Sequence, residues 1–198
     1  MTEALPRYEA VILAGGQGRR MDGRDKGLVS WQGLPLVEHA LARLRAQTRP
    51  PARILISANR HQDRYAAFGC TVVADLRSGF HGPLAGMEAA LATCNADWLL
   101  CIPCDMPQLP TELAEWLFQP VVLGAAASLA HSADGQQPVC CLLQRAQLAS
   151  LSAFLDAGRR RVSAWLDQIG AAAVHFPAQA GFANFNSLAA LGSENPHD

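Results

Sequence analysis

The residues best equipped for chemistry sit in one short stretch near the start of the chain. Leu13-Ala14-Gly15-Gly16-Gln17-Gly18-Arg19-Arg20-Met21 is followed, five residues later, by Lys26. Its three glycines let the backbone turn sharply and come close to a ligand. Their N–H groups can point at phosphate oxygens, while Arg19, Arg20 and Lys26 bring the opposite charge. The chemistry this implies is a phosphate cradle. A second candidate is Asp105, set in Pro103-Cys104-Asp105-Met106-Pro107. A carboxylate at the mouth of a buried strand, its backbone stiffened by prolines, suits a hard cation, and magnesium prefers one or two carboxylates together with phosphate oxygens and water. The other use of such an aspartate is to end the strand or cap the helix after Pro110.

Two better-known glycine loops do not fit. The dinucleotide fingerprint needs a glycine where Met21 stands and an acidic residue about 20 positions on, at the end of a second strand. Glu38 is at about that distance but lies in a helix-like run. The nucleoside-triphosphatase loop needs Gly-Lys followed by Ser or Thr, whereas Lys26 is flanked by Asp25 and Gly27.

The elements that must position these residues read as alternating strands and helices. Ala10-Leu13, Arg53-Ser57, Thr71-Ala74 and Asp97-Ile102 are apolar runs of strand length. Leu36, Val37, Ala40, Leu41 and Leu44 recur at helical spacing, and Pro50-Pro51 stops that helix. Such alternation predicts right-handed crossovers and an α/β fold of three layers, a mostly parallel sheet with helices on both faces. Ligands sit at the carboxyl ends of the strands in such sheets, which is where the glycine loop, Ser57, Asp75 and Asp105 fall. Gly79 to Gly86 runs into a helix over 84–93; its glycines allow either a flat nucleobase, with Leu84 as apolar surface, or tight packing of helix on sheet.

Further on, Pro120 to His131 reads as a strand or a strand pair, Asp134-Gly135 as a turn and Pro138 to Leu143 as a strand. Helices follow over 144–156 and from Val162, then a last strand over 172–176. Arg159-Arg160-Arg161 opens the second of these helices, an end where the dipole disfavours cations, so solvent or an anion must offset them. Phe182-Ala183-Asn184-Phe185-Asn186 is expected to place both amides on one side and both rings on the other, before a short apolar helix. The amides could meet a polar ligand or cap that helix.

A chain of 198 residues, half of them hydrophobic and 17% charged, is expected to form a single domain over 1–198 with a substantial core. A net charge of −1 offers no broad field for nucleic acid or for a membrane surface. No stretch has the length of a signal peptide core or a membrane span, so a cytoplasmic protein is expected. Among the six cysteines, Cys101-Ile102-Pro103-Cys104 has the spacing of a redox pair or half a zinc site. No second pair with zinc spacing exists, and Pro107 and Pro110 disfavour the helix that a redox pair would open, so structural thiols are expected.

These motifs carry a resemblance. Leu13-Ala14-Gly15-Gly16-x-Gly18-x-Arg20-Met21 with Asp25-Lys26 looks like the signature loop of nucleotidyltransferases that move a nucleoside monophosphate from a triphosphate. Ser57-Ala58-Asn59-Arg60-His61, Asp75, Gly82-Pro83-Leu84-x-Gly86, Pro103-Cys104-Asp105-x-Pro107, Gly158-x-Arg160-Arg161-Val162 and Phe182-x-Asn184-x-Asn186 follow in order, and the whole resembles the molybdenum cofactor guanylyltransferases. The resemblance implies a Rossmann-like nucleotidyltransferase fold. It also implies transfer of GMP from GTP to the phosphate of molybdenum-bound molybdopterin, with release of pyrophosphate.

By the same resemblance Leu13, Ala14, Gly15, Lys26, Ser57, Asp75 and Asp105 bind GTP, the N-terminal half taking the nucleotide and the C-terminal half the cofactor. Asp105 would hold Mg²⁺; Arg19, Lys26 and Asp105 would be catalytic; Arg160, Arg161, Asn184 and Asn186 would meet the pterin. A monomer with transient contacts to cofactor-delivery and molybdoenzyme-maturation proteins is expected. Two positions depart from the family pattern: some members carry Asn at Ser57, and Gln137-Pro138 stands where His-Pro is frequent. A cytidylyltransferase for the same cofactor, a sugar-phosphate nucleotidyltransferase and a non-catalytic nucleotide-binding module are the alternatives. The cytidylyltransferase loop reads Leu-Ala-Ala-Gly, whereas Gly15 favours guanine.

Overall fold

The computed structural model describes residues 6–15, 25–79 and 81–185. In chain order the elements are β1 (Tyr8–Leu13), a 3-10 turn at Lys26–Leu28, β2 (Ser30–Trp31), β3 (Leu34–Pro35), α1 (Leu36–Arg45), β4 (Ile54–Ser57), α2 (Gln62–Ala66), β5 (Thr71–Val73), α3 (Pro83–Thr93) and β6 (Trp98–Pro103). There follow α4 (Leu113–Phe118), β7 (Ala127–Ser132), β8 (Gly135–Gln144), α5 (Leu148–Asp156), α6 (Val162–Gln168) and β9 (Ala172–His175). A seven-stranded sheet has the order β5-β4-β1-β6-β8-β7-β9. Only β8 runs against the rest, because a tight turn at Ala133-Asp134 folds it back on β7. The fold is the expected three-layer α/β type.

Period-two alternation sorts the central strands between two cores. Ala10 and Ile12 of β1, with Leu100 and Ile102 of β6, face α1 and α4. Val11 and Leu13, with Leu99 and Cys101, face α3, α5 and α6. Both faces of the sheet are therefore covered, and the strand ends are left as the one place where polar side chains can gather.

The register there is level. β1 pairs Leu13 with Ser57 of β4 and with Pro103 of β6, and β4 pairs Ser57 with Val73 of β5. Backbone bonds carry the alignment one residue further, from Ala14 N–H to Ser57 O (3.0 Å), Ala58 N–H to Val73 O (2.9 Å) and Cys104 N–H to Leu13 O (3.2 Å). At the other side of β6 the sheet splits. β8 pairs with β6 only from Cys101–Cys141 down to Trp98–Gln144, and its register with β7 shifts at Leu129/Ala130, opposite Pro138. Proline has no N–H for a ladder bond and demands such an irregularity in an inner strand.

Several expectations need correction. Residues 121–123 are one 3-10 turn, with Val122 60% and Leu123 88% exposed, so Pro120 to His131 holds one strand (β7) and no pair. β8 reaches Gln144, and the helix expected from there begins at Leu148. Ser30-Trp31 is half of a two-residue hairpin whose turn, Gln32 (φ 48°) and Gly33 (φ 81°), has positive φ at both positions. The rings of Phe182 and Phe185 do not share a side: three residues apart, they enter different clusters, Phe182 against Phe176 and Phe185 against Trp31. The apolar helix expected after Ser187 lies outside the described residues. Cys101 and Cys104 are free and buried, and no group of three potential metal ligands (His, Cys, Asp or Glu) occurs among the described residues.

Candidate active site

The level strand ends set out a row. Two residues past Leu13, Ser57, Val73 and Pro103 stand Gly15, Asn59, Asp75 and Asp105. Across the sheet their order is Asp75, Asn59, Gly15, Asp105. Three strand spacings of about 4.8 Å separate the two carboxylates by roughly 14 Å, room for a nucleoside extended from base to phosphates.

At one end of the row, Lys26 donates from Nζ to Asp105 Oδ2. Asp105 is 9% exposed, and its other oxygen, Oδ1, is buried with no hydrogen-bond partner among the described residues. An unpartnered carboxylate oxygen away from water is costly unless a cation or donor arrives. Asp105 therefore fits a hard cation completed by phosphate oxygens. Lys26 is itself held from below. Gly27 packs on Tyr65 so closely that a Cβ there would stand 2.4 Å from the phenol oxygen, and the same hydroxyl donates to Asp25 Oδ1 at 2.5 Å. Burial, then the bond to Asp25, keeps the Tyr65 phenol well above its ordinary range, so it stays a donor.

At the other end, Asn59 Nδ2 donates to Asp75 Oδ2 and Asp75 N–H donates to Asn59 Oδ1, both at 2.8 Å. Burial pushes the Asp75 carboxyl up, while the Asn59 bond and the charge of His81 pull it down. Behind Asp75, Arg77 grips Glu88 of α3 through two bonds of 2.7 Å and reaches Asp156 of α5 at 2.5 Å. The arginine, with Ser152, holds Glu88 below the ordinary carboxyl range.

Ser57 lies two residues before the row, level with Leu13 and Val73; it is 2% exposed, and a Cβ on Gly86 would come within 2.4 Å of its Oγ. Gly86 is thus needed for the first turn of α3 to seat on Ser57 and Leu13. At Gly86 the use is packing of helix on sheet, and Leu84 is fully buried and offers no surface to a base, whereas a Cβ on Gly82 would meet nothing within 4 Å.

The run of three arginines separates. Arg159 bonds Gln168 and lies 4.0 Å over the Phe154 ring, and Arg161 is exposed. Arg160 donates from Nε to His81 Nδ1 at 2.8 Å, and from Nη1 to the carbonyls of Leu155 and Arg159. His81 brings it toward Asp75. Asn184 is exposed beside Phe185, whose N–H donates to the Asp105 carbonyl at 2.9 Å, so this segment crosses the row's phosphate end. Arg19, Arg20 and Asn186 lie outside the described residues. Asn59, His81 and Tyr65 were not singled out from sequence as site residues. Asn59 stands two residues past the end of β4 as Asp75 does past β5, but the strands expected from sequence end at Ser57 and Ala74, so only the observed register makes the two level.

Residues 10–171 match the model of the MobA-like NTP transferase domain. The chain is 45% identical over 182 residues to the molybdenum cofactor guanylyltransferase of Shewanella putrefaciens, covering 91% of this chain and 92% of that one. It is 46% identical over 162 residues to the enzyme of the same name from Shewanella loihica, 81% of each chain. Its fold is similar to that of molybdopterin-guanine dinucleotide biosynthesis protein A from Archaeoglobus fulgidus (TM-score 0.72, 21% identity, 92% of this chain and 94% of that one). It is also similar to CMP:2-keto-3-deoxy-manno-octonic acid synthetase in complex with CTP (TM-score 0.76, 14% identity, 94% and 96%). The level row of strand ends and the match over most of both chains lead to one assignment: this chain belongs to the MobA-like NTP transferases, among the molybdenum cofactor guanylyltransferases.

Proposed function

We propose that the protein transfers GMP from GTP to the phosphate of molybdenum-bound molybdopterin, forming the guanine dinucleotide cofactor. The observation that carries this reading is the row itself: Gly15 beside a Lys26–Asp105 pair toward one end, an amide-braced carboxylate at the other, on a chain with guanylyltransferase relatives. An oxygen of the acceptor phosphate attacks the α-phosphorus of GTP. The bond from that phosphorus to the bridging oxygen breaks, and pyrophosphate leaves with the electron pair.

Such a reaction needs positioning and charge neutralisation more than proton transfer. Leu13, Ala14 and Gly15 lay backbone along the nucleotide, and Lys26, released from Asp105, offsets charge on the phosphates, joined by Arg19. Magnesium bound at Asp105 would supply Lewis-acid neutralisation of the α-phosphate and the leaving pyrophosphate. Asp75 accepts from the N1–H and N2–H₂ edge of guanine, and Ser57 supports the nucleoside through the seat it gives α3. Arg160, Arg161, Asn184 and Asn186 serve the pterin. The reaction is assigned to a cytoplasmic monomer that meets delivery and maturation proteins transiently. Among the described residues no helix is long and apolar enough to cross a membrane.

Transfer of label from α-³²P-GTP tests the reading. With magnesium and molybdenum-bound molybdopterin, label should move to the pterin product; label that stays in GTP, or moves only to a sugar phosphate, contradicts it.

A further inference from the structure

Asp75 alone makes an unreliable reader of a base. It leaves the sheet after a three-residue edge strand, β5, and is half-buried beside the charges of His81 and Glu88, which act on it in opposite senses. A carboxylate whose plane turns about a broad χ2 torsion needs something at such a place to fix it. Asn59 is built to do this. It comes from the neighbouring strand end, level with Asp75, and spends both faces of its amide on that one residue: Nδ2 on the carboxylate, Oδ1 on the backbone N–H. The two bonds, each 2.8 Å, fix main chain and side chain together. Asn59 also lies against the next member of the row, since a Cβ on Gly15 would stand 3.7 Å from Nδ2. Its own side chain is exposed, so core packing does not explain its place.

We propose that Asn59 is a positioning residue for guanine selection, clamping Asp75 so that the carboxylate faces the base edge, an inference that rests on the base-reading role given to Asp75 above. With Nδ2 on Oδ2, the acceptor lone pairs of Oδ1 and the second pair of Oδ2 are aimed outward as a fixed two-point acceptor. That geometry matches the two adjacent donors of a guanine edge and not the donor–acceptor edge of cytosine. The Asn59 bond has a second effect. It counters the upward push of burial on the Asp75 carboxyl, alongside His81 and against Glu88, and so extends the pH range in which the carboxylate accepts.

The test is equilibrium binding of GTP and of CTP, with magnesium, across a pH series. It compares the wild type with Asn59→Ala, Asn59→Asp and Asp75→Ala, each checked for an unchanged melting temperature. Loss of a bond to a charged group predicts roughly tenfold weaker GTP binding for Asn59→Ala, with CTP changed far less. The acid-side loss of GTP affinity should also begin at higher pH. Asn59→Asp, equal in size but without the donor, should do no better than alanine. If Asp75→Ala weakens GTP while Asn59→Ala leaves both affinity and pH profile in place, the clamp is overturned and base reading stands. Equal weakening of GTP and CTP by Asn59→Ala overturns it as well. If Asp75→Ala itself leaves GTP binding unchanged, base reading fails and the clamp fails with it.

Discussion

Where Asp75 and Asp105 leave the sheet, each carboxylate is met by a side chain from a neighbouring segment, Asn59 for the first and Lys26 for the second. Where Arg160, Arg161 and Asn184 stand, one arginine is tied to a loop histidine and two side chains lie open. The first region is mounted on four parallel strands in level register, so its geometry is set by backbone bonds that also hold the fold together. The second is mounted on loops and on the start of a seven-residue helix. A site that must stabilise charge at one phosphorus gains from the fixed arrangement. Arg160 and Asn184 are held near opposite ends of the row, the first through His81 beside Asp75 and the second next to Phe185, whose N–H donates to the Asp105 carbonyl.

Substitutions at each end should therefore differ in kind as well as size. Lys26→Ala removes the cation of the phosphate end and should lower kcat about 10²–10³-fold with pterin saturating, measured as pyrophosphate release. Asp75→Ala should raise the KM for GTP about 10- to 100-fold and that for CTP much less, with kcat little altered; equal losses would remove its role with the base. Arg160→Ala should raise the KM for the pterin about tenfold and leave GTP binding intact, while Arg161→Ala, exposed and untied, should have the smaller effect. A reversed order would show that the bond to His81 disables Arg160 instead of placing it. Gly86→Ala probes the seat beneath the row. A Cβ 2.4 Å from Ser57 Oγ and 3.0 Å from Leu13 Cδ2 should cost about 1–3 kcal/mol of stability, read as a lowered Tm in thermal melts.

Much of the first region was legible in sequence because its signal is local. An apolar run that ends in Gly, Asp or Pro-x-Asp marks a strand end, and parallel topology gathers those ends on one edge. For that reason the place of Gly15, Asp75 and Asp105 past the strand ends is legible in the sequence. Ser57 and Asn59 were harder to separate, since only the register shows that Asn59 is level with the carboxylates while Ser57 lies beneath α3. Leu84 could equally be surface or core on helical spacing alone, and packing against Val11 and Leu13 in one core settles it. The second region depends on contacts far apart in sequence. Arg160 and His81 are 79 residues apart, and nothing in the local pattern of three arginines says which one turns toward the site. Phe182 and Phe185 escape the alternation rule because their segment is not a strand and their rings are three residues apart.

Guanylyl transfer at the row of strand ends, with Asp105 at its phosphate end, has one direct readout. Pyrophosphate release from the purified protein with magnesium and molybdenum-bound molybdopterin, with GTP and CTP compared, tests it most directly. Release with GTP should stand well above that with CTP and should fall by about 10³-fold or more in Asp105→Ala. Equal release with CTP, or an Asp105→Ala variant that keeps its rate, would contradict it.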